Sequence, residues 1–226
     1  MKVKICGITN LPDAMSAVLL GADYVGFLVE ISFAQDKVDR KEAKDIMDKL
    51  PEEVKSVFVT YEQKAKDIIE IAKEINPDVI QLHNDIDPDE IKKIRKDLKG
   101  IELIKTINVK NIKSIDEAKE YEQYADYLLL DTQIKGKKGG TGKTHNWDIS
   151  KEIVKRTKKP VFLAGGLNPD NVEEAIKKVS PFAVDTNSGV ETESRTKDYE
   201  KMKMFIARAK GKVEGDISKG GFGRFN

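Results

Sequence analysis

The stretch 54-VKSVFVTYEQKAKDIIEIAKEINPDVIQL-82 carries two short apolar runs, 54-VKSVFV-59 and 78-DVIQL-82, on either side of a charged segment, 62-EQKAKDIIEIAKEI-75. Within that segment Ala65, Ile68, Ile69 and Ala72 recur at helical spacing, which puts them on one face. A few apolar residues alone do not separate a strand from part of a buried helix, so the intervening segment decides the reading. Strand, helix, strand is the unit that results, and a parallel strand pair needs such a crossover. The alternation extends both ways. Runs 3-VKIC-6, 24-YVGFLV-29, 101-IELIKTI-107, 127-YLLL-130, 161-VFLA-164 and 182-FAVD-185 bring the strand candidates to eight. Helices are expected over 11–20, 39–50, 88–98, 111–123, 148–156, 169–178 and 198–209. In the second of these Asp39 is placed to cap the start, with Ala43, Ile46, Met47 and Leu50 forming the apolar stripe. Pro88, Asp89 and Glu90 stand where a helix tolerates proline and favours acids.

Eight strands, each followed by a helix, predict a single (β/α)8 TIM barrel over residues 1–210. The competitor is an open doubly wound sheet, whose edge strands would be shorter and more polar. A chain of 226 residues suits one such domain. The remainder, 211-GKVEGDISKGGFGRFN-226, is rich in glycine, lacks helix-forming continuity, and is expected to be flexible or laid over the surface.

Lys plus Arg number 40 and Asp plus Glu 39, a formal charge of +1, so charge gives no reason to expect a nucleic-acid partner. A single cysteine, Cys6, excludes an intrachain disulfide framework and fits a reducing compartment. No apolar run approaches the roughly 20 residues that span a bilayer. A soluble, cytoplasmic protein without a membrane partner is therefore expected. Apolar helix faces of this kind suit a monomer or a homodimer equally.

The segment 136-GKKGGTGKTHNW-147 imitates a nucleoside triphosphate loop, but G-x-x-x-x-G-K-[ST] would need glycine at 137, and that residue is lysine. Phosphate hydrolysis loses its support, while contact between glycine backbone N–H groups and a phosphate remains open. Barrel topology gathers functional groups at the C-terminal ends of the strands. Cys6, Asp131, Gly165, Gly166 and Asp185 fall there, and His83 follows the fourth strand candidate. Each has a plain alternative: Cys6 as a small apolar core residue, Asp131 as a cap, the glycines as ordinary turn residues. His83 and His145 are too isolated to indicate a metal site.

The ordered segments 3-VKICGIT-9, 19-LLGADYVGF-27, 81-QLH-83, 128-LLLDT-132, 139-GGTGKTHNW-147, 162-FLAGGLNPDNV-172 and 183-AVDTNSGVE-191 resemble the phosphoribosylanthranilate isomerase family across most of the chain. The resemblance implies a barrel of the phosphate-binding type. It implies an Amadori rearrangement of N-(5-phosphoribosyl)anthranilate in tryptophan biosynthesis, a small phosphorylated sugar substrate, and no metal or redox cofactor. By the same resemblance Cys6 matches the general base and Asp131 the general acid. A thiol near its reference value needs only modest help to ionise, and Asp131, ending an apolar strand, is expected to retain a proton. Gly140, Gly142, Gly165, Gly166, Ser188 and Gly189 are the expected phosphate cradle, with Asp185 and His83 orienting the substrate.

One segment departs from the family pattern. Where a serine-proline-arginine-like sequence is usual, this chain reads 30-EISFAQDKVDRKEA-43, and Asp36 falls at the position of the arginine. Lys37 and Arg40 are the neighbouring cations that could replace it. Glu30 is expected to pair with a nearby base or cap the loop.

Overall fold

The computed structural model of the protein describes residues 1–132 and 144–212. Eight parallel strands form the barrel: β1 (Lys2–Ile5), β2 (Tyr24–Val29), β4 (Lys55–Thr60), β5 (Val79–Leu82), β6 (Glu102–Asn108), β7 (Tyr127–Asp131), β8 (Val161–Leu163) and β9 (Ala183–Thr186). They are hydrogen-bonded in the order β1-β9-β8-β7-β6-β5-β4-β2, and pairing of β1 with β2 closes the ring. The open-sheet alternative is thereby excluded. Around it stand α1 (Leu11–Leu20), α2 (Arg40–Met47), α3 (Ala65–Ile75), α4 (Pro88–Asp97), α5 (Ser114–Tyr121), α6 (Trp147–Arg156), α7 (Val172–Val179) and α8 (Tyr199–Ala209). The expected tail from 211 lies outside the described residues beyond Lys212.

A ninth strand, β3 (Lys37–Val38), was not expected from sequence. Its two residues pair in parallel with Leu28 and Val29, and Glu30 N–H donates to the Val38 carbonyl at 3.0 Å. Two residues are too few to show a period, and the burial of Val38 against the core adds to this pairing in holding them in place.

Local chemistry sets the helix ends. Asn10 accepts from Asp13 N–H at 2.9 Å to start α1, and Gly21, with φ 98°, closes it in the left-handed conformation. Asp39 and Glu42 form a reciprocal capping box at α2, with bonds of 2.7 and 3.0 Å. Side chains of Asp87, Asn146 and Asp198 cap α4, α6 and α8.

The two-residue strand period sorts the core into two layers. Val3, Ile5, Phe27, Phe58, Ile80, Leu103, Leu128, Leu130 and Val184 face the helices, while Tyr24, Val57, Val59, Val79, Ile104, Leu129, Phe162 and Ala183 fill the barrel. Continuing that inner set upward by two residues reaches Cys6, Gln81, Asp131 and Asp185, all at one end. Alternation alone thus brings together side chains far apart in sequence. No helix among the described residues is long and apolar enough to cross a membrane.

Gly26 on β2 is a tight point in this inner layer. A Cβ there would lie 2.9 Å from Cys6 Sγ and 3.1 Å from Lys4 Cε. Gly26→Ala is expected to destabilise the protein by about 1–3 kcal/mol through overpacking, read from urea unfolding. An unchanged midpoint would mean that the barrel widens there without cost.

Candidate active site

A cavity of about 400 Å³ opens at the C-terminal end of the barrel, lined among others by Cys6, His83, Asp131 and Asp185. Gly165, Gly166, Ser188 and Gly189 lie on the same lining. Gly140 and Gly142 lie outside the described residues. The strand ends supply the acid-base groups and the loops after β8 and β9 supply the glycine turns. Gly165 and Gly166 have φ 81° and 73°, a left-handed backbone suited to glycine. Gly189 approaches the Leu167 carbonyl so closely that a side chain would collide with it. These turns bring the β8 and β9 loops close together beside the cavity.

Beneath Cys6 lies a residue that the motif reading passed over. Lys4 is fully buried inside the barrel, and its Nζ pairs with Asp185 Oδ1 at 3.0 Å. Burial disfavours its ammonium, but Asp185 and Cys6 outweigh this and raise its pKa. The signal was in the sequence: Lys4 is two residues from Cys6 on one strand, so both must face the same side.

The protonation states differ from the sequence expectation. Burial pushes the Cys6 thiol up to about 11; Lys4 pulls it down, and the Asp185 and Asp36 carboxylates push it further up. In the free site Cys6 is therefore a thiol rather than a partly ionised base. Asp131 is the reverse case. Burial favours its protonated form, yet the His83 hydrogen bond and charge, with the Thr132 N–H at 2.7 Å, hold it below the ordinary carboxylate range. The expectation that an apolar strand end would keep Asp131 protonated overlooked His83, whose Nε2 lies 3.4 Å from Asp131 Oδ2. Asp185 is raised by burial, partly offset by Lys4 and reinforced by the charge of Asp131.

His83 touches Gln81 Nε2 through Nδ1 at 3.0 Å, and Tyr61 packs against its ring at 4.7 Å between centroids. Phe33 meets Tyr61 edge-on at 4.9 Å, so an aromatic wall rises on the β2 and β4 side of the cavity. His145 joins Thr132 Oγ1 at 2.9 Å to Ser150 Oγ at 2.6 Å, and burial lowers its pKa to about 4, keeping it neutral. It ties the end of β7 to α6. Among the described residues no group of three or more His, Cys, Asp or Glu is arranged to hold a metal ion.

The two cations considered as arginine replacements are not at the cavity. Arg40 is held by Glu30, Glu70 and Glu74 at 3.0, 2.9 and 3.0 Å. Three carboxylates on neighbouring surface elements surround that guanidinium and hold it on the outside of the barrel. Lys37 is exposed and reaches the Ser32 carbonyl at 3.4 Å. Asp36 does line the cavity, where it accepts from Asn187 Nδ2 at 2.6 Å. Asn187 in turn receives Lys197 Nζ at 2.6 Å, and Lys197 pairs with Glu191 at 2.8 Å. Asn187 and Glu191 lie in the segment 183-AVDTNSGVE-191 and Asp36 in the departing loop, but nothing in their spacing shows that Lys197 links them.

Residues 3–208 match the family described as N-(5'-phosphoribosyl)anthranilate (PRA) isomerase. A relative named N-(5'-phosphoribosyl)anthranilate isomerase from Methanosarcina acetivorans is 40% identical, with 91% of each chain covered. The crystal structure of phosphoribosyl anthranilate isomerase from Thermotoga maritima superposes with a TM-score of 0.84 at 38% identity, covering 93% of this chain and 99% of that one. Another solved isomerase, in complex with reduced 1-(o-carboxyphenylamino)-1-deoxyribulose 5-phosphate, gives a TM-score of 0.81 at 36% identity over 93% and 99% of the two chains.

The thiol assignment is open to direct titration. Alkylation of the single cysteine by iodoacetamide should keep accelerating with pH toward about 11 instead of levelling near the reference value of about 8.5. Lys4→Met, which removes the cation favouring the thiolate, should move the inflection higher still. An inflection near neutrality in the ligand-free protein would contradict this electrostatic picture.

Proposed function

The chain belongs to the N-(5'-phosphoribosyl)anthranilate isomerase family, and from that premise we propose that Cys6 and Asp131 perform its Amadori rearrangement by acid-base catalysis. The product is 1-(2-carboxyphenylamino)-1-deoxyribulose 5-phosphate, a step of tryptophan biosynthesis. Asp131 protonates the ribose ring oxygen, the ring opens, and the anilino nitrogen becomes an iminium. Cys6 thiolate then takes the proton from the adjacent sugar carbon. The resulting enolamine collapses to the ketone, and the proton count returns to its starting value. The observation that carries this reading is the convergence of Cys6, Asp131 and Asp185 on one cavity beside the glycine turns after β8 and β9.

Division of labour follows from position. Backbone N–H groups around Gly165, Gly166, Ser188 and Gly189 receive the phosphate, and the turn containing Gly140 and Gly142 is assigned the same task. Asp185 orients the amino group. His83 holds and polarises Asp131. We also assign the protein to the cytoplasm, where the lone thiol stays reduced.

The free site holds thiol and carboxylate, whereas the reaction begins with thiolate and carboxylic acid. The two forms contain the same number of protons, so one proton changes owner when substrate binds. An anionic substrate beside Asp131 favours the acid, and once ring opening has produced the iminium its positive charge holds Cys6 as thiolate until the sugar proton is taken. Lys4 lowers the cost of that thiolate.

Two results test the scheme. Cys6→Ala and Asp131→Asn should each lower kcat by about 10²–10⁴-fold while the reduced product analogue still binds, measured by loss of substrate fluorescence and by calorimetry. A folded wild-type protein that leaves phosphoribosylanthranilate unchanged would reject the reaction itself. For the pH profile, kcat/KM should fall on the acid side as Asp131 gains a proton, below the ordinary carboxylate range, and on the alkaline side as Cys6 ionises toward about 11. A limb near neutrality would show that neither group sets the free-enzyme profile.

A further inference from the structure

The described lining of the cavity is acidic, with Asp36, Asp131, Asp185 and Glu191 upon it. The substrate of the proposed reaction brings a carboxylate and a phosphate. Glycine turns at β8 and β9 suit the phosphate, but backbone amides already committed there leave the aryl carboxylate to be met elsewhere. The buried lysines near the site are occupied: Lys4 by Asp185, and Lys197 by Glu191 and Asn187. Lys37 and Arg40 are turned to the outside.

Arg195 is left. It lines the cavity, it is exposed, and its guanidinium makes no ion pair or hydrogen bond among the described residues. A closed turn presents it: Glu191 bridges Lys197, Thr192 N–H donates to the Thr196 carbonyl at 2.9 Å, and Arg195 N–H donates to the Thr192 carbonyl at 3.1 Å. At the tip Arg195 has φ 63°, a left-handed backbone uncommon for a residue with a side chain. The base of the turn is fixed by Lys197 to Asn187, and Asn187 reaches Asp36 across the mouth. The turn is therefore braced against position 36, on the side where Phe33 and Tyr61 offer a wall for an aromatic ring.

We propose that Arg195 binds the aryl carboxylate of the substrate, supplying from the loop after β9 the guanidinium that position 36 lacks. The planar fork gives two parallel donors to a carboxylate, which a lysine cannot reproduce. Arg195 is a binding and specificity residue; it moves no proton. The proposal rests on the reaction assigned above, so its test has an arm that does not depend on turnover.

Arg195→Gln is compared with wild type on phosphoribosylanthranilate and on the analogue made from aniline, which lacks the carboxylate. The expected loss is about 10- to 100-fold in kcat/KM on the first substrate, through KM, and none on the second; Arg195→Lys recovers part of it. In the binding arm, calorimetry with reduced 1-(o-carboxyphenylamino)-1-deoxyribulose 5-phosphate and its counterpart without the carboxyl should give the same selective loss. Equal losses on both ligands would assign Arg195 to the phosphate or to the loop framework and overturn the proposal, as would no loss on either. Selective loss in binding without any turnover by wild type would uphold Arg195 and defeat the reaction.

Discussion

A lysine enclosed in a barrel is tolerable only when a counter-charge is at hand, and the ion pair between Lys4 and Asp185 at 3.0 Å meets that condition. Its two members come from β1 and β9, neighbours in the ring whose register sets Lys4 opposite Asp185. Removing either partner strands the other in a medium that solvates charge poorly. The pair also fixes what stands above it. Cys6 follows Lys4 by one inward step of the strand, and Gly26 is bare so that Sγ and the lysine stem can fit side by side. Packing and charge around Cys6 both follow from this contact.

The second carboxylate in the site has the opposite surroundings. Asp131 is satisfied by His83 and by the N–H of Thr132, while Asp185 must share a lysine with a thiol. Two aspartates at equivalent strand ends are thereby driven apart in acidity, one down and one up. Environments that separate like groups in this way are how a site divides roles among them. Ionisation of the thiol has to overcome burial and two nearby carboxylates, with Lys4 as its main support.

Much of this was legible in the chain. The barrel strands are buried on both faces and show as short apolar runs, and the cap Asp39 announces itself by residue type, whereas the caps Asn10 and Asp87 emerge only from the structure. Cys6, Asp131 and Asp185 could be placed at one mouth because strand ends are readable even when contacts are not. Protonation was not readable, since it depends on neighbours across the ring: Lys4 under the thiol and His83 beside the carboxylate. Partner choice was equally hidden. Arg40 stands close in sequence to the departed arginine position, yet Glu70 and Glu74 on α3 capture it, while Arg195, far along the chain, arrives at the cavity. Sequence distance from position 36 says little about which cations reach the cavity lining.

The two-residue strand β3 and the Asp39–Glu42 box adjoin one another, so the chain leaving β2 is fastened again before α2 begins. Residues 31–36 span the gap between two anchors and contribute Phe33 and Asp36 to the mouth. Ile31 and Asp36 within this span are buried, and Asp36 holds Asn187, while Ser32, Phe33 and Gln35 are exposed and make few demands on the barrel beneath. What the mouth admits can therefore be altered at those three exposed positions while the anchors on either side keep the scaffold as it is.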